Sequence, residues 1–286
     1  MKPRKSVQLG NFTVGDGHPV TIVAELGVNH LGDFGRMKEM IAAAVESGAD
    51  LLKFQTYIAE KRYDPIKNPK GKMFIKWLKE WEFTRDQEAE LWEYAKSLGA
   101  TVFTSAFDPD SADFAESLGS VGYKIAAFEL VNKVLLRHVA SKGKPVVFTR
   151  GMATNEEVDE AIKIITEHGA EPVILHTTSS YPAQRKDTNL WTIHALRERY
   201  DWPVGHSDHT HGTYVPPLAV AAGANMIEKH FTVNQKLRES DNFFSLTPNE
   251  LKEMVFKVRQ AERVMGQEVV KCEAEEYMYD FRRHTD

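Results

Sequence analysis

Lysines that could hold an anion stand at the ends of short apolar runs in this sequence. Lys53 ends one such run, with Gln55 two positions later and on the same face if the run is a strand, and Lys124 lies in another. Ammonium groups amid hydroxyl side chains suit a phosphate or a carboxylate, whereas a lysine can also extend into solvent or form a Schiff base. Two such lysines amid several serines and threonines favour anion binding.

Two histidines form a second group that could do chemistry. His209 and His230 stand at the ends of two further short runs. Neutral imidazoles are common ligands of divalent cations, and carboxylates nearby could add oxygen ligands or orient the rings. The candidate carboxylates are Glu25, Glu129, Asp208 and Asp241. Two histidines alone are also consistent with a hydrogen-bonded structural pair, so their spacing leaves metal binding open.

The elements that must position these residues follow a regular alternation of strand-like and helix-like segments. The predicted strands are Thr21–Leu26, Asp50–Gln55, Ala100–Thr104, Val121–Ile125, Lys144–Thr149, Glu171–His176, Trp202–His206 and Asn225–His230. The predicted helices are Phe34–Ser47, Arg85–Ser97, Ser111–Leu118, Lys133–Ser141, Asn155–His168, Leu190–Tyr200, Tyr214–Gly223 and Pro248–Gly266. Strands that alternate with helices imply parallel pairing, and eight such units favour a closed (β/α)8 TIM barrel over an open sheet.

Polar residues at the strand ends are the feature of this barrel that predicts function. The carboxyl ends of barrel strands meet at one face, where the following loops form the active sites of such enzymes. Buried charges cost free energy unless they are paired or bound to a ligand, so charged residues at many strand ends predict a binding site. The candidate residues are Glu25, Lys53, Gln55, Ser105, Lys124, Glu129, Thr149, Ser179, Tyr181, Ser207, His209 and His230.

The composition argues against several classes of partner. The 286 residues carry a formal net charge of −5 and a pI near 6.1, which gives no support to binding of nucleic acid or an anionic membrane. Cys272 is the single cysteine, so an intrachain disulfide is excluded and a reducing compartment is expected. No run is long and apolar enough for a membrane span or a secretion signal, so we expect a cytoplasmic protein.

Two segments interrupt the alternation. Residues 7–20, around Gly15 and Gly17, predict a β-hairpin that closes the floor of the barrel. Residues 56–84 are rich in lysine, proline and aromatic residues; so long a loop is typical of a lid, and a plain solvated insertion is the alternative. The predicted organisation is a hairpin at residues 1–20, a catalytic barrel at 21–266 and a C-terminal tail at 267–286.

The polar stretches at the strand ends, taken in order along the chain, resemble the sialic acid synthase (N-acetylneuraminate synthase) family and its legionaminate and pseudaminate relatives. The resemblance runs from about residue 20 to residue 266. The stretches that carry it are Ala24–His30, Gly48–Asp50, Lys53–Thr56, Tyr123–Ala126, Gly151–Thr154, His176–Thr178, Tyr181–Pro182, Gly205–Thr210, Ile227–Thr232 and Ser245–Leu246.

The resemblance implies that phosphoenolpyruvate condenses with a sugar aldehyde to give a 3-deoxy-2-keto sugar acid and phosphate. It implies a divalent metal on His209 and His230, with Mn²⁺ first and Mg²⁺ or Co²⁺ as alternatives. The residues implied to contact phosphoenolpyruvate are Lys53, Ser105, Lys124, Thr149, Ser179 and Ser207. Those implied to contact the sugar are Glu25, Gln55, Glu129, Tyr181 and Asp241, with Glu25 or Glu129 as the base. A homodimer is a further expectation from the family.

Departures from the family pattern leave the acceptor sugar open. Ala127 stands where a serine is usual, Arg150 follows Thr149 where a second hydroxyl is usual, and Asn242 follows Asp241 where a histidine is usual. The printed chain ends at residue 286, so we expect the barrel without the antifreeze-like C-terminal domain of the family. In a swapped dimer that domain gives an arginine to the partner's sugar site. The acceptor therefore need not be N-acetylmannosamine.

Three other functions fit parts of the pattern. A pyruvate aldolase would use Lys53 or Lys124 as a Schiff base. A barrel that binds a ligand without turnover would explain Ala127 and Asn242, although the retained lysines and histidines argue against it. A metal-dependent sugar isomerase on the same fold would not need two lysines that face a phosphate.

Overall fold

The computed structural model describes residues 4–63, 66, 68–266 and 272–283. An antiparallel hairpin, β1 (Val7–Leu9) and β2 (Phe12–Val14), precedes eight parallel strands that form a closed barrel. The barrel strands are β3 (Thr21–Glu25), β4 (Leu51–Thr56), β5 (Thr101–Ala106), β6 (Tyr123–Ile125), β7 (Val146–Thr149), β8 (Pro172–His176), β9 (Val204–Asp208) and β10 (Met226–His230). β10 pairs with β3, joining Met226 to Thr21 and His230 to Glu25. The predicted (β/α)8 barrel is confirmed.

Helices follow the strands, and most of them cover the outside of the barrel. They are α1 (Phe34–Glu46), α2 (Ala59–Arg62), α3 (Lys72–Trp81), α4 (Arg85–Ser97), α5 (Pro109–Ser117), α6 (Lys133–Ala140), α7 (Asn155–Glu167), α8 (Trp191–Arg199), α9 (Val215–Ala221) and α10 (Pro248–Met265). Local sequence sets several starts, because Asp33 caps α1 and the capping boxes of Thr84 and Thr154 begin α4 and α7. All eight predicted helices overlap an observed one.

Alternation along the strands divides the barrel interior into an apolar and a polar layer. Val23, Leu51, Phe103, Val147 and Met226 form the apolar layer with Val173 and Leu175. Side chains two positions further along a strand point to the same side. The residues that come two positions after a residue of the apolar layer are Glu25, Lys53, Ser105, Thr149, Thr177 and Glu228. The polar layer therefore lies toward the carboxyl ends of the strands.

The N-terminal hairpin closes the floor of the barrel, as predicted. Val7, Leu9 and Val14 are fully buried against the apolar layer, and each such burial stabilises the fold by about 1.5–3 kcal/mol. The turn, however, lies at Gly10 and Asn11 rather than around Gly15 and Gly17. Gly10 has φ +61°, and a Cβ there would stand 2.6 Å from the Thr101 methyl group. That close approach to the barrel is why this glycine makes the turn.

The excursion at residues 56–84 forms a wall of the barrel mouth in its described part. It carries α2 and α3, and the Tyr57 hydroxyl donates a hydrogen bond of 3.1 Å to the Leu78 carbonyl oxygen. Tyr57 and Leu78 are buried in a small apolar cluster with Val28 and Phe107. The segment is therefore packed against the barrel and is more than a solvated insertion.

The C-terminal tail is described in part. Residues 272–283 hold a 3₁₀ helix over Glu273–Phe281, whereas 267–271 and 284–286 lie outside the described residues, as do 1–3 of the predicted hairpin unit. The division into a hairpin, a barrel and a tail as separate units stays a prediction. In the described part of the chain, no helix is long and apolar enough to cross a membrane.

Candidate active site

A cavity of about 1100 Å³ opens at the carboxyl ends of the barrel strands. It is the place where the predicted site residues meet, since all but Ser179, Glu129 and the candidate carboxylate Asp208 line it. Those that line it are Glu25, Lys53, Gln55, Ser105, Lys124, Thr149, Tyr181, Ser207, His209, His230 and Asp241. The strand-end argument therefore located the cavity, although it could not give the contacts inside it.

Two of the three residues outside the lining, Ser179 and Glu129, were predicted to contact substrate. A Cβ on Gly151 would stand 2.7 Å from Ser179 Oγ and 2.5 Å from the Cβ of Ala127, which does line the cavity. Ser179 is therefore adjacent to the cavity lining. Glu129 accepts a hydrogen bond of 2.8 Å from Asn132 Nδ2. Burial raises the pKa of Glu129, opposed by Asn132 and by the charge of Arg62.

Four buried charges form the centre of the cavity. Lys53 Nζ lies 3.1 Å from Glu25 Oε2 and 2.9 Å from Glu228 Oε1. Lys124 Nζ lies 2.9 and 3.2 Å from the two oxygens of Glu228. Ser207 Oγ donates a further hydrogen bond of 2.9 Å to Glu228 Oε1. One carboxylate thus links both lysines and a hydroxyl.

The pKa values in this cluster follow from burial and from the number of opposite charges. Burial would lower the pKa of Lys53, but the carboxylates of Glu228 and Glu25 outweigh it and raise the pKa above its usual range. Among the described carboxylates Lys124 pairs with Glu228 alone, and there burial prevails and lowers the pKa to about 8. Burial raises the pKa of Glu25 to about 7 against the attraction of Lys53. Glu25 can therefore exchange a proton near neutral pH.

The two predicted metal-binding histidines are neighbours on the other side of the cavity. The ring centroids of His209 and His230 are 5.4 Å apart. His209 Nδ1 lies 3.1 Å from the Thr178 carbonyl oxygen, which can only accept, so Nδ1 carries the proton and Nε2 keeps a free lone pair. Tyr181 stacks on His209 with centroids 4.2 Å apart, which fixes the ring.

The histidine pair is uncharged at neutral pH. Burial lowers the pKa of His209 to about 4 and holds that of His230 well below its usual range. His230 Nδ1 is buried and lacks a hydrogen-bond partner among the described residues, with Asp241 Oδ2 at 3.6 Å. Neutral imidazoles with an available nitrogen fit a divalent cation. The described residues include no cluster of three or more His, Cys, Asp or Glu side chains that could hold a metal alone.

Comparison with known proteins places this geometry in a family. The NeuB family matches residues 40–270. The chain belongs to the NeuB family. It is 40% identical over 259 residues to N,N'-diacetyllegionaminic acid synthase of Legionella pneumophila, covering 86% of this chain and 73% of that protein. It is 34% identical over 272 residues to N-acetylneuraminate-9-phosphate synthase of mouse, covering 91% and 76%.

A solved structure supports the same assignment. The crystal structure of N-acetylneuraminic acid (sialic acid) synthetase from Leptospira borgpetersenii, in complex with citrate, superposes with a TM-score of 0.92. The two chains are 32% identical, and the match covers 98% of this chain and 96% of that one. Both the fold and the family resemblance expected from the sequence are confirmed.

Sequence reasoning missed Glu228 as a site residue of this NeuB-family barrel. The signal was present, because Met226, Glu228 and His230 alternate on β10 and Met226 belongs to the apolar layer. The same alternation corrects Asp208, which was a candidate oxygen ligand or ring-orienting partner. Asp208 points away from the cavity and pairs with Lys229 Nζ at 2.6 Å.

The departures from the NeuB-family pattern have different structural consequences. Ala127 lines the cavity, so it presents a methyl group there where the family resemblance implies a serine hydroxyl. Asn242 is fully buried; its side chain donates to the carbonyl oxygens of Asn29 at 3.2 Å and Glu239 at 3.0 Å, and accepts from Thr232. Asn242 thus holds the loop that places Asp241 at the cavity.

Arg62 was also missed, because it belongs to the excursion and follows no barrel strand. It lines the cavity, and its Nη1 donates a hydrogen bond of 3.2 Å to Gln55 Oε1. The stretches that resemble the family stop at Thr56 in this part of the chain and resume at Tyr123. No periodicity in residues 56–84 could have placed this side chain.

Proposed function

We propose that this barrel condenses phosphoenolpyruvate with a sugar-type aldehyde to give a 3-deoxy-2-keto sugar acid and phosphate. The observation that carries the proposal is the convergence of two buried lysines on one carboxylate in the cavity. The ammonium groups of both lysines line the cavity, so they can also contact an anion bound there.

Hydroxyl groups around the lysines support an anion with many acceptor oxygens. Thr149 Oγ1 and Ser179 Oγ are buried, and nothing in the described chain forms a hydrogen bond with either. A buried hydroxyl without a partner costs free energy that a ligand oxygen can recover. Ser105 and Ser207 line the same cavity. These groups are where we place the phosphate and carboxylate of phosphoenolpyruvate.

The residues present fit a divalent metal, for which we propose Mn²⁺ first and Mg²⁺ or Co²⁺ as alternatives. His209 and His230 would hold it through neutral imidazoles, with Asp241 beside His230 at 3.6 Å. When bound, the metal would act as a Lewis acid on the aldehyde oxygen of the sugar. The sugar would lie on the side of Glu25, Gln55 and Tyr181, which line the same cavity.

The proposed reaction needs only phosphoenolpyruvate, the aldehyde and water as reactants. C3 of phosphoenolpyruvate bonds to the aldehyde carbon, whose oxygen becomes a hydroxyl, and C2 becomes cationic. A water oxygen adds to C2 while Glu25, with its pKa raised to about 7 by burial, accepts a proton. The bond from C2 to the phosphate oxygen then breaks, and C2 becomes a ketone. The two protons of the water end on the new hydroxyl and on phosphate.

Phosphate release tests this function directly. We expect release that requires both phosphoenolpyruvate and an aldose, assayed with N-acetylmannosamine, its 6-phosphate and a 2,4-diacetamido aldose. In ¹⁸O-water the released phosphate should carry no label, because the C2–O bond breaks. Lys53→Met should raise the KM for phosphoenolpyruvate at least about tenfold, since a charge-assisted contact is lost. Lys133→Met, which removes an exposed pair with Glu160, is the matched control.

Two results would contradict the proposal. The first is bound phosphoenolpyruvate with no release for any of these aldoses. The second is ¹⁸O in the phosphate, which would mean attack at phosphorus.

A Schiff-base aldolase is the second candidate, because burial lowers the pKa of Lys124 to about 8. A lysine with a lowered pKa is a better nucleophile. Against it, both Glu228 oxygens hold the Lys124 ammonium group. Borohydride with pyruvate separates the two: a mass increase on Lys124 supports the aldolase, and an unmodified lysine with phosphate release supports the condensation.

A further inference from the structure

We infer that Arg62 is a positioning residue that fixes the Gln55 carboxamide and, through it, the Glu25 carboxylate on the sugar side of the cavity. The inference rests on the proposed function and adds a residue to it. Arg62 ends α2, so the side chain comes from the excursion and not from a barrel strand. It joins that excursion to the polar layer of the barrel.

A chain of three contacts carries the inference. Arg62 Nη1 donates to Gln55 Oε1 at 3.2 Å, and Gln55 Nε2 donates to Glu25 Oε1 at 2.6 Å. Glu25 Oε2 in turn lies 3.1 Å from Lys53 Nζ. The guanidinium of Arg62 is thus two side chains away from the buried lysine at the centre of the cavity.

The donor and acceptor ends of the Gln55 amide fix the direction of the hydrogen bonds between Arg62 and Glu25. A guanidinium can only donate hydrogen bonds and a carboxylate can only accept them. Between the two, Gln55 has one satisfactory orientation, with its oxygen toward Arg62 and its NH₂ toward Glu25. The flipped amide would face donor to donor and acceptor to acceptor. Without Arg62, only the Glu25 end would hold the amide.

Aromatic rings seat the Arg62 side chain in place of an ion pair. The guanidinium carbon lies 3.8 Å from the centre of the Phe107 ring and 5.2 Å from that of Tyr57. Phe107 is itself stacked against Phe128. The described residues offer Arg62 no carboxylate close enough for an ion pair, and its Nε is buried without a hydrogen-bond partner among them. Stacking fixes the plane of the fork while leaving it directed at Gln55.

The charge of Arg62 also reaches a second predicted sugar contact. Burial raises the pKa of Glu129, and Asn132 and the Arg62 cation oppose that rise. Removal of the cation would therefore favour the neutral form of Glu129. This effect is separate from the positioning role, which stands on the contacts above.

A double-mutant cycle tests whether Arg62 acts through Gln55. Arg62→Met keeps the length of the side chain but removes its donors and charge. We expect a loss of about ten- to hundredfold in kcat/KM for the aldose, the range for a hydrogen bond to a charged group, with the KM for phosphoenolpyruvate unchanged. In a Gln55→Leu background the same change should have a much smaller effect, since coupled residues are not additive; only the charge effect on Glu129 then remains. Arg62→Lys, which keeps the charge and a donor, should recover part of the loss.

The control is Lys61→Met, one position earlier on the same short helix, where the lysine pairs with Asp110 at the surface. It should keep wild-type kinetics, and unfolding of both variants by urea shows whether the fold is intact. The inference is overturned if Arg62→Met retains wild-type kcat/KM. Equal loss in the wild-type and Gln55→Leu backgrounds would also overturn it, as would a matching rise in the KM for phosphoenolpyruvate.

A measurement without turnover separates this inference from the proposed function. The Gln55 NH₂ signals in a ¹⁵N-labelled protein are identified by their absence from the Gln55→Leu spectrum. Arg62→Met should shift these signals and speed their exchange with solvent, whereas Lys61→Met should leave them in place. Unmoved signals in Arg62→Met reject the positioning role even if the enzyme turns over. Shifted signals with no phosphate release would retain the contact and reject the function.

Discussion

Replacement of Glu228 by glutamine should destabilise the protein far more than an ordinary loss of one ion pair. Glu228 is 3% exposed and contacts both buried lysines, at 2.9 Å each. Lys53 keeps Glu25 after the change, but Lys124 loses the only described carboxylate with which it pairs. Breaking a buried pair on one side costs about 3–5 kcal/mol. At about 2–4 °C per kcal/mol for a large domain, the Tm should fall by about 6–20 °C.

The pKa of Lys124 limits this cost and gives a second observable. Burial already lowers the pKa of Lys124 to about 8, and Glu228 opposes that effect. Without the carboxylate the pKa should fall further, so Lys124 becomes neutral at pH 7 in the folded variant. The unfolded state then binds the extra proton, and the stability of the variant relative to wild type should improve as the pH rises from about 7 to 9.

Urea unfolding at pH 7 and 9, followed by circular dichroism, measures both effects. Glu253→Gln, which removes an exposed pair with Lys257, is the matched control and should change the unfolding free energy by less than about 1 kcal/mol. Lys124→Met combined with Glu228→Gln should regain part of the loss, because no unpaired lysine remains there. A Glu228→Gln variant within about 1 kcal/mol of wild type, or a double variant no more stable than the single one, would refute the reasoning.

Three further outcomes are expected. Burial lowers the pKa of His206 to about 4, so the free energy of unfolding should fall as the pH drops from about 6.5 toward 4. His206→Asn should weaken this pH dependence, measured by urea unfolding. An unchanged pH dependence would contradict the expectation. Chelation should abolish phosphate release, and added Mn²⁺ should restore it. Titration calorimetry should show Mn²⁺ binding to the wild type and not to His209→Gln. Equal binding by the variant would mean that His209 is not a metal ligand. Gly151→Ala should lower the free energy of unfolding by about 1–3 kcal/mol and slow turnover. The reason is that φ is +49° and the new methyl group would stand 2.5 Å from Ala127 and 2.7 Å from Ser179. A variant as stable as the wild type would contradict this strain.

The strand order and the site face were predictable because they depend on periodic features. Alternation of strands and helices fixed the barrel, and the carboxyl-end rule then placed Lys53, Lys124, His209 and His230 around one opening. The hairpin was predicted but its turn was not. Both Gly10 and Gly15 fit a turn by composition, and the close contact of Gly10 with Thr101 is a tertiary feature.

Contacts between side chains from distant segments could not be predicted. The sequence placed Glu228 at a strand end but gave no sign that both lysines share it. Asp208 shows the opposite error, since one position decides whether a residue faces the cavity or the helices. Arg62 depends on how the excursion folds back over Phe107, which no local pattern encodes.

The closed floor strengthens the electrostatic interactions in the polar layer above it. Val7, Leu9 and Val14 seal the barrel from below, so the charges of Lys53 and Glu228 are screened by little water from that side. In such surroundings a paired charge is held strongly and an unpaired one is costly. An entering anion therefore gains more from the two lysines than it would at the protein surface. The same lack of screening makes any variant that unbalances the cluster costly to the fold. Removal of a carboxylate, as in Glu228→Gln, should therefore destabilise the apo protein while it strengthens anion binding, whereas removal of a lysine, as in Lys53→Met, should weaken both.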